Sequence, residues 1–391
     1  MLKTKELLLK ITEAIKENDC TTAGLLTGNI GIAIFLAYVN QLYNRADISE
    51  VMENSLHKCF KSLEANGSIH NYADGLAGIC WGINHLVIQN KIDADVNSLF
   101  EELELPLFSK SENDLNYHFF DFIHGGLGAG IYALNRLHDA KAINHIIKAI
   151  NFIYQSAEMI DGDVKWKTII EVGENLEKTE YNLGLSHGMP SIIWFLCKSY
   201  DANIETQKCS TLINGSINWL LKQKLSAQSI SLFPSAVESS RKKKHSRLGW
   251  CYGDLGIAST IWQAGKSLNN EQLKQEAIAI MLHNVKRNDF SANGIFDAGL
   301  CHGTAGIAHI FNRFYFETKM PIFKETASFW INETLKMASH KDGLAGFKTM
   351  RDNVGLVNEY NLLEGIAGIG LALYSHITDE EPTWDRCLLL S

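Results

Sequence analysis

Seven times along this 391-residue chain a glycine, two further residues and a second small residue open a long apolar run. The steps are Thr27-Gly28-Asn29-Ile30-Gly31, Asp74-Gly75-Leu76-Ala77-Gly78, His124-Gly125-Gly126-Leu127-Gly128 and His187-Gly188-Met189-Pro190-Ser191, followed by Tyr252-Gly253-Asp254-Leu255-Gly256, His302-Gly303-Thr304-Ala305-Gly306 and Glu364-Gly365-Ile366-Ala367-Gly368. The leading glycines fall at 28, 75, 125, 188, 253, 303 and 365, so the intervals are 47, 50, 63, 65, 50 and 62. Self-similarity at such a period marks a repeat architecture, and each interval holds two helices and their loops. In the fourth step Ser191 stands where the second glycine falls elsewhere.

After each step come residues such as Ile32, Ala33, Phe35 and Leu36, apolar nearly all round, which specify a helix buried on every side. Between the copies lie amphipathic stretches, for example Ile48 to Leu63, Ala140 to Ser156, Glu271 to Asn288 and Ile322 to Ala338, whose charged faces suit an outer layer. Glycines at the helix starts let neighbouring backbones pass closely. The expectation is an all-α chain, one α/α toroid domain over residues 1–391 with seven inner and seven outer helices. Two linkers break the rhythm. Asp161 to Tyr181 is rich in β-branched residues and reads as a strand or hairpin, a small inserted extension. Leu225 to Leu248 is polar and serine-rich and leads into a cysteine motif, so it is the expected substrate loop.

In a closed ring the seven steps gather at one end, and the residue before each leading glycine points into a shared mouth. Read in order, that slot holds Thr27, Asp74, His124, His187, Tyr252, His302 and Glu364. A single member such as Thr27 or Asp74 reads as a helix cap. Chemistry concentrated in one repeat slot is hard to explain as packing.

The formal net charge of −8 argues against nucleic acid as a partner, because phosphate binding needs a basic face. The one basic run, Arg241-Lys242-Lys243-Lys244-His245-Ser246-Arg247, reads as a solvated loop. The eight cysteines are scattered, without framework spacing, which indicates a reducing cytosol. Residues Met1 to Asp19 form a charged amphipathic helix with no uninterrupted apolar core of the signal-peptide kind. Cys20 to Asn44 carries no charge, yet its polar content and its kinship with six other segments favour a helix buried in protein over a membrane span.

Gly249-Trp250-Cys251-Tyr252-Gly253 and Leu300-Cys301-His302-Gly303 place two thiols in the same position of two repeats, one backed by a histidine. Two thiolates and an imidazole are a zinc ligand set, and three protein ligands leave the fourth tetrahedral position open, the mark of a catalytic site. Cys80 and Cys197, inside apolar helices, read instead as core residues. His187 shares the slot of His302 but lacks a preceding cysteine, so it is available as an acid or base. Asp121, Arg247 and Tyr252 also lie beside these motifs; their bland readings are a capping aspartate, a surface arginine and a packed tyrosine.

The seven glycine steps together with Gly249-Trp250-Cys251-Tyr252-Gly253, Cys301-His302-Gly303 and Ser186-His187-Gly188 resemble the lanthionine synthetase C family, the LanC-type lantibiotic cyclases, over about residues 20 to 375. The resemblance implies an α/α toroid with Zn2+ held by Cys251, Cys301 and His302, and active-site roles for Asp121, His187, Arg247 and Tyr252. It implies addition of precursor-peptide cysteine thiols to dehydroalanine or dehydrobutyrine, closing thioether rings. The implied substrate is a dehydrated precursor peptide with its leader. The implied partners are a dehydratase and a transporter of the same pathway, through which the enzyme would meet the membrane peripherally from the cytoplasm. In that chemistry a cysteine thiol, with an ordinary pKa of ~8.5, is deprotonated at zinc and attacks the alkene. The resulting enolate takes a proton from His187, with Asp121 orienting the imidazole and Arg247 and Tyr252 facing the enolate oxygen. The rival readings are a relative that adds glutathione to dehydrated residues, a zinc-dependent prenyltransferase subunit and a non-catalytic peptide-binding toroid.

Overall fold

The computed structural model describes residues 2–66, 69–173, 176–237 and 245–391. Basic residues Arg241 to Lys244 lie outside the described residues, as does the segment 238–240 of the expected substrate loop. In chain order the helices are α1 (Leu2–Lys16), α2 (Asn29–Tyr43), α3 (Ala46–Asn66), α4 (Leu76–Ile88), α5 (Val96–Phe100), α6 (Glu104–Asn116), α7 (Leu127–Ala133), α8 (Ala140–Ser156), α9 (Met189–Asp201), α10 (Thr206–Leu221), α11 (Asp254–Ser267), α12 (Glu271–Asn284), α13 (Thr304–Thr318), α14 (Pro321–Met337) and α15 (Ile366–Thr378). A helix follows each of the seven glycine steps: α2, α4, α7, α9, α11, α13 and α15. These are the apolar helices; α2, for instance, is buried at every residue from Asn29 to Val39. The amphipathic stretches become α3, α8, α12 and α14, and α12 stops at Asn284, four residues before its expected end.

The repeats share one local device. At the first, second, sixth and seventh steps the preceding loop folds back over the helix start, and its carbonyls accept the first helical N–H groups, which have no partner inside the helix. Thus Asn29 donates to Thr22, Leu76 to Ile69, Thr304 to Asp297 and Ile366 to Glu359, each across seven residues. That close return is why glycine recurs. An added Cβ at Gly78, Gly306 or Gly368 would lie 1.9 Å from the carbonyl oxygen of Tyr72, Leu300 or Leu362, six residues earlier in every case. Gly253 adds a φ of +108°, a region that L side chains resist. In the third repeat the helix begins one residue late, with Gly126 as the cap. The fourth keeps its geometry because the Ser191 hydroxyl donates to the Gly188 carbonyl at 2.9 Å and Pro190 sits in the first turn of α9, where a missing N–H costs nothing.

The described residues fall into two compact units, Met1–Leu99 with Asp289–Leu388, and Phe100–Asn288 with Leu389–Ser391. In the first unit α13 packs on α15, α15 on α2 and α2 on α4, so the last repeat lies against the first. Backbone hydrogen bonds run along the same series: Cys301 N–H to Leu363 O at 3.0 Å, Leu363 N–H to Leu26 O at 2.9 Å and Leu26 N–H to Ala73 O at 3.0 Å. Each of these residues immediately precedes its repeat's slot. A buried cluster pins the C-terminal segment on α13: Arg313 Nη2 reaches Asp385 Oδ1 at 2.7 Å and His309 Nε2 reaches Asp385 Oδ2 at 2.9 Å.

In the second unit α7 packs on α9 and α9 on α11, with Ser186 N–H donating to Cys251 O at 3.3 Å. The extension expected at Asp161 to Tyr181 consists of the hairpin β1 (Glu158–Ile160) with β2 (Asp163–Lys165) and the antiparallel strands β3 (Thr168–Gly173) and β4 (Leu176–Asn182). The loop after α10 contributes β5 (Ala236–Val237), which pairs with the end of β4 at Tyr181↔Val237 and Asn182↔Ala236. A third hairpin, β6 (Thr349–Arg351) with β7 (Gly355–Val357), lies in the first unit and has no counterpart in the sequence reading. It is too short for periodicity to reveal.

Candidate functional site

None of the seven slot side chains is buried, whereas the glycine that follows each one is. The slot therefore alternates solvent-reachable chemistry with close-packed backbone. Thr27 hydroxyl donates to Asp74 Oδ1, which accounts for both residues as structural partners in the first unit.

The two cysteine motifs meet in space. Ligand atoms of Cys251, Cys301 and His302 all lie within 4.8 Å of one another, a group able to hold a metal ion. The donor set, two soft sulfurs and an imidazole, suits zinc chemistry and leaves one tetrahedral position for a further ligand. Both thiols are placed by main chain: Cys301 by its N–H on Leu363, and Cys251 by the Ser186 N–H and hydroxyl on its carbonyl. Cys80 and Cys197 are buried within apolar helices as expected of core residues, and burial pushes the Cys197 thiol up.

His187 and Asp121 form the second element. His187 Nδ1 lies 2.5 Å from Asp121 Oδ2, with the His187 side chain 31% and the Asp121 side chain 11% exposed. Burial lowers the imidazole's proton affinity, but the Asp121 hydrogen bond and charge, with a smaller contribution from Cys251, outweigh it, so the His187 pKa lies above the ordinary 6.5. Asp121 divides its carboxylate. Oδ1 accepts the N–H groups of Ile123 at 2.8 Å and His124 at 2.9 Å, the capping role, and Oδ2 faces His187.

Tyr252 stands with this pair: its ring lies 6.2 Å from the His187 ring, and its hydroxyl accepts from Asn182 Nδ2 at 3.3 Å. Its pKa is raised, chiefly by burial, so the phenol remains protonated at neutral pH. His124 also stacks on His187, 5.8 Å between centroids. Arg247 is exposed, and its carbonyl lies under Gly253, where an added Cβ would approach to 2.3 Å. The structure thus brings Asp121, His187 and Tyr252 together and places Arg247 by its backbone.

Two residues escaped the sequence reading. Asn182 holds Tyr252 and caps Gly184 N–H at 2.8 Å; its six-residue lead on Gly188, matched by Asp297 before Gly303, is the signal that could have found it. Asp254, fully buried at the start of α11, accepts from Leu232 and Phe233 N–H at 2.9 Å each and from Arg287 at 3.2 Å. Arg287 also donates to the Ser246 carbonyl. The expected substrate loop is thereby fastened at both ends of its described part beside Cys251.

The chain is similar to nisin biosynthesis protein NisC of Lactococcus lactis subsp. lactis, 24% identical over 324 residues, covering 78% of this chain and 76% of that protein. It superposes on the solved structure of nisin cyclase with a TM-score of 0.76 at 19% identity, covering 99% and 96% of the two chains. That likeness establishes the fold as an α/α toroid, in which the seven apolar helices are the inner layer and α1, α3, α6, α8, α10, α12 and α14 the outer. Among the described residues no helix is long and apolar enough to cross a membrane. Residues 19–389 match the model of the lanthionine synthetase C-like proteins, and the chain belongs to that family.

Proposed function

We propose that the protein is a zinc-dependent peptide cyclase that adds cysteine thiols of a dehydrated precursor peptide to its dehydroalanine or dehydrobutyrine residues, forming lanthionine and methyllanthionine in lantibiotic biosynthesis. The observation that carries this reading is the three-ligand group Cys251, Cys301 and His302 within 4.8 Å. The His187–Asp121 pair, in the same second unit as Cys251, supports it. Cys251, Cys301 and His302 would hold the zinc ion, which would supply Lewis-acid activation of an incoming cysteine thiol.

The chain's own residues do the rest. The sulfur bonds to the alkene β-carbon, the π electrons pass to the adjoining carbonyl as an enolate, and the α-carbon must then gain a proton. His187 supplies it from Nε2, since Nδ1 is engaged by Asp121. A raised pKa keeps that imidazole charged further into the neutral range, as a general acid requires. Tyr252, protonated and steadied by Asn182, donates toward the enolate oxygen, and Arg247 adds positive charge at the same end. The whole chain acts as one domain, with Asp161 to Tyr181 as an insertion. The dehydratase and transporter are its pathway partners, and the work is done in the cytoplasm. Similarity to proteins named for nisin biosynthesis and cyclisation favours a peptide thiol over glutathione.

The test pairs metal analysis with mass spectrometry of thiol-alkylated product. His187→Ala should keep stoichiometric zinc and lose cyclisation by on the order of 10²–10⁴-fold, the worth of a general acid. Cys301→Ala should lose the metal with the helical circular dichroism intact. Loss of zinc in the histidine variant would make it a ligand and overturn the assignment.

A further inference from the structure

Beside His187 lies the slot residue of the preceding repeat, His124. Helix α7 packs on α9, so the third and fourth slots are neighbours within the second unit. The two imidazole rings are nearly parallel, 17° between planes and 5.8 Å between centroids. One carboxylate sets both residues. Asp121 Oδ2 lies 2.5 Å from His187 Nδ1, and Oδ1 accepts the His124 backbone N–H at 2.9 Å. The turn beneath His124 is closed by Gly125 N–H on Asp121 O at 2.9 Å and Gly126 N–H on Phe119 O at 3.0 Å, which fixes the backbone that carries the ring. The two rings differ in access to water. His187 is 31% exposed, with the Tyr252 ring 6.2 Å away, whereas His124 is an exposed residue.

The cyclase chemistry conserves protons overall but moves them between sites. The S–H bond of the incoming cysteine breaks, and its proton leaves as the sulfur becomes a thiolate. The S–Cβ bond then forms, the π pair passes to the carbonyl, and the His187 Nε2–H bond breaks as the Cα–H bond forms. His187 ends neutral and must regain one proton before the next ring. Its Nδ1 is engaged by Asp121, and its Nε2 end serves the peptide. An imidazole between it and bulk water supplies a route, because imidazole takes and gives protons near neutral pH. Two hydrogen bonds of about 2.8 Å through one water span about the separation of the two rings.

We infer that His124 is the proton relay of the site, passing protons from bulk water to His187 between successive ring closures. The inference rests on the cyclase reading above and adds to it a residue that acts through His187 and not on the peptide.

The test uses zinc-loaded full-length protein, an excess of a synthetic peptide with one dehydroalanine and one cysteine, and dilute buffer free of imidazole near neutral pH. Ring closure is followed by rapid quenching, thiol alkylation and mass spectrometry. His124→Gln keeps a planar polar side chain that does not titrate. The first ring per protein molecule should close at the wild-type rate, because the raised pKa of His187 lets it start charged. Later rings should be slower on the order of 10²-fold, the low end of what a positioned proton donor contributes. Added imidazole should restore the later rings in proportion to its concentration and leave wild type unchanged. A variant whose later rings keep the wild-type rate, whose first ring is slowed as much as the rest, or whose slow phase ignores imidazole overturns the relay and leaves the cyclase reading standing. Wild type that closes no ring overturns both.

Discussion

Asp121→Asn isolates the electrostatic half of a residue that serves two purposes. Asparagine keeps an oxygen where Oδ1 accepts the Ile123 and His124 N–H groups, so the turn before α7 survives. Its amide replaces the charged Oδ2 that sits 2.5 Å from His187 Nδ1. Burial of His187 is unchanged, and burial alone lowers an imidazole pKa. The variant should therefore carry His187 below the ordinary 6.5, where the wild type holds it above. A hydrogen bond to a charged group contributes about 1.5–3 kcal/mol, and the 31% exposure of His187 trims that to roughly 1–2 kcal/mol. One pKa unit is about 1.4 kcal/mol, so cyclisation near pH 7 should fall about 10-fold and recover toward acid pH. The stability linkage has a definite sign. Because the folded pKa is raised, the Asp121 contribution is fully present below the unfolded pKa and is lost as pH rises through the folded value. Wild type and variant should differ more in urea midpoint at pH 5 than at pH 9. Rates are followed on zinc-loaded protein by quenching and alkylation, and the imidazole by NMR. An unchanged pH–rate profile, or a stability gap that widens toward alkaline pH, refutes the reasoning.

Further outcomes follow from the packing. Gly306→Ala puts a Cβ against the Leu300 carbonyl, 1.9 Å away before relaxation, so the chain ahead of Cys301 must shift. Destabilisation of about 1–3 kcal/mol in urea should accompany faster zinc loss to a chelator, and unaltered zinc kinetics would detach the glycine from the metal loop. Asp385→Ala leaves Arg313 charged and buried, an expected loss of about 3–5 kcal/mol by denaturation. The Asp385 pKa is depressed against burial by Arg313 and His309, so this stability is present above the unfolded carboxyl value and lost as pH falls toward the folded one. A wild-type fold indifferent to pH below 4 would contradict it. Reversing the charge of Lys242 to Lys244 should weaken peptide binding, read as a salt-dependent dissociation constant, with zinc content constant.

The helices, which depend on near neighbours, were legible in the sequence. Seven apolar runs after seven glycine steps specify seven buried helices, because a helix apolar all round has no face for water. The slot residues were legible for the same reason, since a repeat that folds alike places its equivalent residue alike. The β6–β7 hairpin was not, because three residues per strand are too few for alternation to show. Whether Asp121 was a cap or a partner of His187 could not be read along the chain, and tertiary structure made it both by bringing a side chain 66 positions away to its second oxygen. Asp254 passed as part of a glycine step, although it fastens a loop whose carboxylate contacts begin 22 residues upstream. The metal group makes the same point most sharply. Cys251 and Cys301 stand 50 residues apart, and no local propensity spans that distance. Only the tertiary structure brings two sulfurs and an imidazole within 4.8 Å.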